Sequence, residues 1–279
     1  MGRVLTYRTE MKETLLGTKF MNRIDKLFEN KRENVLSIYF TAGYPQLEDT
    51  FPIMQALEES GADLIEIGVP YSDPVADGPT IQESNMVALK NGMSLRKLFE
   101  QLQDIRPELT IPVVLMGYLN PILQYGIEAF CEKCKEVGVD GVIVPDLPMQ
   151  QYLDEYKDLF DRNNLRNTFL ISPQTSEERI RQIDASSDGF IYMVSSHSIT
   201  GSKSGITDAQ IQYFERVRDM NLKSPKLIGF GISDHATFAK ASSYSNGAII
   251  GSAFINVLKE AENVKEAVKT YIKGVKQTK

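Results

Sequence analysis

The residues best suited to chemistry lie between Leu64 and Gln82, in the run LIEIGVPYSDPVADGPTIQ. It sets Glu66 inside an otherwise apolar strand pattern and follows it with Asp73 and Asp77 in a Gly/Pro loop. Side chains alternate across a strand, so Leu64, Glu66 and Gly68 point one way while Ile65, Ile67 and Val69 point the other. Glu66 therefore has hydrophobic neighbours on both faces. Burying a carboxylate without a partner is costly and drives its pKa upward, which suits a group that must hold and deliver a proton near neutral pH. The plainer alternative is a solvent-facing charge on an edge strand.

Other chemistries find less support. Cys131 and Cys134 form a C-x-x-C, but no second pair completes a four-ligand zinc site, and the spacing from Ile127 to Val137 is that of an outer helix. They read as two ordinary reduced cysteines. His197 and His235 are the only imidazoles, so a catalytic metal is not expected. A net charge of −6 argues against nucleic acid or an anionic membrane as the main partner. Small molecules and proteins are the expected partners. No apolar run approaches the roughly 20 residues of a bilayer span, and the first twenty residues lack a hydrophobic signal core. The expected location is the cytoplasm.

Eight β-rich runs can position these groups: 34–41, 63–69, 112–118, 141–146, 166–172, 189–195, 226–231 and 247–251. Amphipathic segments separate them, including 48–60, 94–105, 126–137, 149–163, 176–185, 208–220 and 235–242. Regular strand-then-helix alternation implies parallel pairing by right-handed crossovers. In a chain of 279 residues, eight units favour one closed (β/α)8 TIM barrel, with an additional N-terminal helix. An open doubly wound sheet is the alternative, but TAGYPQ rather than a G-x-G-x-x-G follows the first strand.

Barrel chemistry gathers at the carboxyl ends of the strands. After the seventh run comes Gly229-Phe230-Gly231-Ile232-Ser233. The eighth ends in Gly251-Ser252, with a helical pattern beginning near Ala253. Backbone N–H groups at such glycines, a helix N-terminus and the Ser252 hydroxyl together make a phosphate cradle. The sixth loop, SSHSITGSKSGI from Ser195 to Ile206, has the polar composition of a mobile lid; its alternative is an idle surface loop. Within the sixth strand Tyr192 would usually be core packing, but its hydroxyl needs a polar partner inside the barrel, and Glu66 is a candidate.

The combination of IEIGVPYSDPVADGPTIQ at 65–82, VPDLP at 144–148, SITG at 198–201, GFGIS at 229–233 and GSA at 251–253 resembles the tryptophan synthase alpha subunit family. The resemblance runs from about Met21 to the C-terminal helix. It implies a TIM barrel that cleaves indole-3-glycerol phosphate to indole and glyceraldehyde 3-phosphate. It also implies no cofactor in this chain and a complex of two alpha and two beta chains, in which the beta subunit carries pyridoxal phosphate and condenses indole with serine. By position, the catalytic residues correspond to Glu66, Asp77 and Tyr192. The phosphate-binding positions correspond to Gly201, Gly229, Phe230, Gly231, Gly251 and Ser252, Thr200 belongs to the lid, and Pro70, Asp73 and Asn120 lie near the beta-subunit contact. Asp73, preceding Pro74, is the weaker catalytic candidate and more naturally organises a turn.

The chemistry of the residues agrees with that implication. A retro-aldol cleavage needs an electron sink. No lysine ends a strand run to form a Schiff base, and two histidines are too few for a metal enolate. The indole ring must serve instead, with one carboxyl group protonating carbon 3 and another hydrogen-bonding the ring N–H. A free-standing indole-3-glycerol phosphate lyase and a non-catalytic activator of a beta subunit remain as alternatives. Two departures stand out. Ser198 occupies a lid position that is commonly glycine in the family, and residues 1–20 precede the family-like start at Met21. The division is thus an N-terminal extension, 1–20, and a barrel domain, 21–279.

Overall fold

The computed structural model describes residues 21–75, 77–194, 206–229 and 231–277. Its eight strands are β1 (Val35–Thr41), β2 (Leu64–Gly68), β3 (Val113–Met116), β4 (Gly141–Ile143), β5 (Arg166–Ile171), β6 (Ile191–Val194), β7 (Lys226–Gly229) and β8 (Gly247–Ile250). Each pairs in parallel with the next, and β8 pairs with β1 to close the barrel. The expected (β/α)8 architecture is what the chain adopts. Where both ends are described, the strands are shorter than the runs read from sequence: β3 and β4 stop at Met116 and Ile143, and Gly117-Tyr118 and Val144-Pro145-Asp146 continue into the loops at the carboxyl end.

The strand interior is built by alternation. Val35, Leu64, Val114, Ile143, Phe190, Leu227 and Ile249 cluster inside the barrel, while Leu36, Ile65, Ile67, Leu115 and Ile250 join the layer packed against the outer helices. The additional N-terminal helix, Arg23–Asn30, closes the amino-terminal end, inserting Ile24 and Phe28 into the interior cluster. Asn22 caps it by accepting from the Ile24 N–H, and its side-chain amide donates to the carbonyls of Asp140 and Asn164. Asp25 receives two hydrogen bonds from the Arg166 guanidinium. Asp140 is buried and binds Arg23, Arg106 and the Val113 N–H. This end of the barrel is thus held by charge-assisted bonds.

Two features depart from the sequence reading. The single helix expected over 149–163 is interrupted by a π-helical turn at Tyr152–Tyr156, between Met149–Gln151 and Lys157–Arg162. Tyr152 anchors this turn, its ring edge-on to Phe160 and Phe169 at 5.3 and 5.5 Å. Helices Pro79–Lys90 and Leu119–Tyr125 were not singled out from the sequence. The first begins with proline at its opening position, where the missing N–H costs nothing. The extension at 1–20 lies outside the described residues.

Candidate active site

Glu66 occupies the middle of β2, a strand paired on both sides, and is fully buried. The edge-strand alternative therefore falls. Its Oε1 accepts a hydrogen bond from the Ser37 hydroxyl at 2.7 Å, whereas Oε2 is enclosed without a hydrogen-bond partner among the described residues. Burial pushes the carboxyl up to about 7, and the bond from Ser37 acts in the opposite direction. A carboxyl with that affinity exchanges its proton readily at neutral pH.

Asp77 lies in the loop after β2. Its N–H donates to the Pro74 carbonyl, and its own carbonyl accepts from the Gln82 side chain, tying the loop to helix Pro79–Lys90. Tyr118, which follows β3, donates its hydroxyl to Asp77 Oδ2 at 3.3 Å. Burial raises Asp77 to about 6, and Tyr118 opposes the rise. Asp73 is exposed, accepts at its carbonyl from the Val75 N–H and binds the Ser72 hydroxyl, as a turn-forming residue would.

Two tyrosines join these carboxyl groups. Tyr192 and Tyr39 are both buried, and each fills space that a glycine leaves open: a Cβ at Gly229 would overlap the Tyr192 ring, and one at Gly68 would overlap Tyr39. Burial is the main reason that both phenols lie above their ordinary range. Asp77 is the next cause for Tyr39 and Glu66 the next for Tyr192, and each tyrosine feels both carboxylates. The four acids therefore lie close enough to feel one another's charge, towards the carboxyl end of the barrel. Gly229, expected for close approach of a phosphate, has a packing reason as well.

The ends of β7 and β8, where a phosphate cradle is expected, are adjacent strand ends. Gly231 has φ +77 and open space where a Cβ would sit. Gly251 precedes helix Ser252–Lys259, whose first N–H groups have no acceptor within the helix. Tyr39 flanks Gly251, linking the end of β8 to the four acids. Thr200, Gly201, Phe230 and the Ser198 departure lie outside the described residues.

The three residues expected near a partner contact are on neighbouring segments. Pro70 is buried and Asp73 exposed, and Asn120 donates to the Tyr71 hydroxyl at 3.4 Å. The Tyr71 ring rests against Tyr118 with centroids 5.2 Å apart, so this surface is connected to Asp77. Val75 and Leu123, on the same two segments, are exposed apolar side chains. Cys131 and Cys134 are free, buried and helical, as read from their spacing, and burial pushes the Cys131 thiol up to about 12. Among the described residues no group of three or more His, Cys, Asp or Glu could hold a metal ion.

Ser37, Tyr39 and Tyr118 were not singled out from the sequence. For β1 a signal exists: alternation puts Val35, Ser37 and Tyr39 on one face, with two polar groups in a run that is otherwise apolar. Recognising them as part of the site required knowing that this face meets Glu66.

A family model described as tryptophan synthase alpha chain matches residues 25–279. The tryptophan synthase alpha chain of Flavobacterium johnsoniae is 60% identical over 242 residues, spanning 86% of this chain and 95% of that relative. Among solved structures, tryptophan synthase subunit alpha of Legionella pneumophila has a TM-score of 0.83 at 34% identity, covering 92% of this chain and 98% of that one. A chain of the tryptophan synthase complex from Pyrococcus furiosus has a TM-score of 0.81 at 33% identity, covering 89% and 100%.

Proposed function

The chain belongs to the tryptophan synthase alpha chain family, and from that premise we propose that it cleaves indole-3-glycerol phosphate to indole and glyceraldehyde 3-phosphate by carboxyl acid–base catalysis. The observation that carries this reading is the buried Glu66 carboxyl, held at about 7, with Asp77 near enough that Tyr39 and Tyr192 each feel both charges.

In the proposed reaction Glu66 protonates carbon 3 of the indole ring, giving an indoleninium cation. Asp77, ionised, accepts a hydrogen bond from the ring N–H and offsets the positive charge as it grows. Such a bond is worth roughly 3 kcal/mol in the transition state. Loss of the proton from the glycerol hydroxyl beside the breaking bond forms the aldehyde. The electrons of the carbon–carbon bond flow into the ring and neutralise the cation. Glu66, left as a carboxylate by the first step, is the group proposed to take that proton, which returns it to its starting state. Tyr192 lies near enough to feel the charge of Glu66.

The phosphate is proposed to sit on the backbone at Gly229, Gly231 and Gly251 and on Ser252, with Phe230, Gly201 and the lid residue Thr200 completing its enclosure. The Pro70, Asp73 and Asn120 surface is proposed to dock a beta subunit, in an assembly of two alpha and two beta chains. The pyridoxal phosphate chemistry belongs to that partner. Among the described residues no helix is long and apolar enough to cross a membrane. We place the reaction in the cytoplasm and the catalytic domain at 21–279, with 1–20 as an extension. Indole release from indole-3-glycerol phosphate, with and without a beta subunit, tests this function.

A further inference from the structure

We propose that Ser37 is a positioning residue for the reaction: its hydroxyl fixes Oε1 of Glu66 and thereby leaves Oε2 as the oxygen that carries the proton to substrate. The inference rests on Glu66 being the acid of the lyase reaction.

Ser37 is fully buried in the middle of β1, within VLSIYFT. Serine is a weak strand former, and a buried hydroxyl is costly unless hydrogen-bonded. Its O–H can be donated to one acceptor at a time, and that acceptor is Glu66 Oε1 at 2.7 Å. The register neighbours of Ser37 are Leu64 on β2 and Ile249 on β8, which offer no side-chain acceptor. A proton on Oε1 would reverse the contact, with Glu66 donating and the Ser37 oxygen accepting, and the Ser37 O–H would need another acceptor, which the side chains of Leu64 and Ile249 do not offer. A proton on Oε2 leaves the bond in place. When Glu66 is ionised, the same bond becomes charge-assisted, so Ser37 restrains the rise that burial causes.

The surroundings of Glu66 isolate this effect. From β1 the titratable neighbour is Tyr39, from β6 it is Tyr192, and from the loop after β2 it is Asp77, whose charge reaches both phenols. On the other side β3 presents Val114, the register partner of Glu66, and carries no titratable side chain. Among the described residues, the side-chain hydrogen bond from Ser37 is the contact that opposes the effect of burial on Glu66.

The test compares the parent with Glu66→Gln, Ser37→Ala, Ser37→Cys and Ser37→Thr. Indole release is followed from about pH 5 to 9 with a tryptophan synthase beta subunit in excess, and each variant is also melted. The expected result is an inactive Glu66→Gln and a Ser37→Ala with kcat reduced about tenfold and KM within about twofold of the parent. Its basic limb should move about one pH unit upward, because losing a charge-assisted donor favours the protonated acid. Ser37→Thr, which keeps the hydroxyl, should restore the limb. An inactive Glu66→Gln beside a Ser37→Ala with the parental limb would overturn the role of Ser37 and leave the lyase reading standing. An active Glu66→Gln would overturn both. If Ser37→Ala does not fold, Ser37→Cys, nearly isosteric and a weak donor, decides: an upward limb supports the role, and a parental limb overturns it.

Discussion

The ring of Tyr192 on β6 occupies the space that Gly229 on β7 leaves by having no side chain, so the placement of this phenol depends on a glycine in the neighbouring strand. Gly229→Ala must displace the ring or the strand. Overpacking of this kind typically costs about 1–3 kcal/mol. We expect that loss of stability, together with at least a tenfold fall in kcat. The clash depends on both residues, so the double substitution Gly229→Ala with Tyr192→Ala should destabilise by less than the sum of the single changes. Urea unfolding of the four proteins checks this; additive losses would show that the two residues do not oppose one another.

Asp77 provides a pH-dependent prediction. It must be ionised to meet the positive ring, so activity should fall as pH drops through its pKa of about 6. The Tyr118 hydroxyl favours the ionised form, and Tyr118→Phe removes it. The acid limb of the kcat profile should therefore move to higher pH. Asp77→Asn should reduce kcat by about two to three orders of magnitude and abolish that limb. An unshifted acid limb in Tyr118→Phe would separate Tyr118 from the titration of Asp77.

A stability prediction follows from Glu66. Its carboxyl is raised from an ordinary 4.5 to about 7, so within that window the folded chain retains a proton that the unfolded chain has released. Stability contributed by this group is therefore lost as pH rises from about 4.5 to about 7. Glu66→Gln carries no such proton equilibrium. Relative to the parent it should gain on the order of 3 kcal/mol between acid and mildly alkaline pH. Urea midpoints of both proteins across that range measure it, and a constant difference would refute the buried-acid account.

The fold was legible because its signal is local. Strand runs alternate with helical patterns, and the position of Glu66 between apolar residues of opposite faces already marked it as buried. The place of Asp77, Gly231 and Gly251 just beyond strand ends could be read from their position after strand runs. Ser37, Tyr39 and Tyr118 could not, since their roles depend on which strand lies beside β2 and in what register. The π-helical turn at Tyr152 was hidden for a related reason: it coincides with edge-on packing against Phe169 on a separate element, which periodicity within the helix does not reveal.

The most direct test of the central claim is indole release from indole-3-glycerol phosphate by the parent chain and by Glu66→Gln, each with and without a tryptophan synthase beta subunit. The account predicts slow release by the isolated parent, a sharp rise with the partner, and no release by Glu66→Gln under either condition while its fold is retained. Comparable rates in Glu66→Gln and parent would contradict the acid–base role. Fast release that ignores the partner would contradict the subunit role, and a parent that releases no indole even with the beta subunit would contradict the reaction itself.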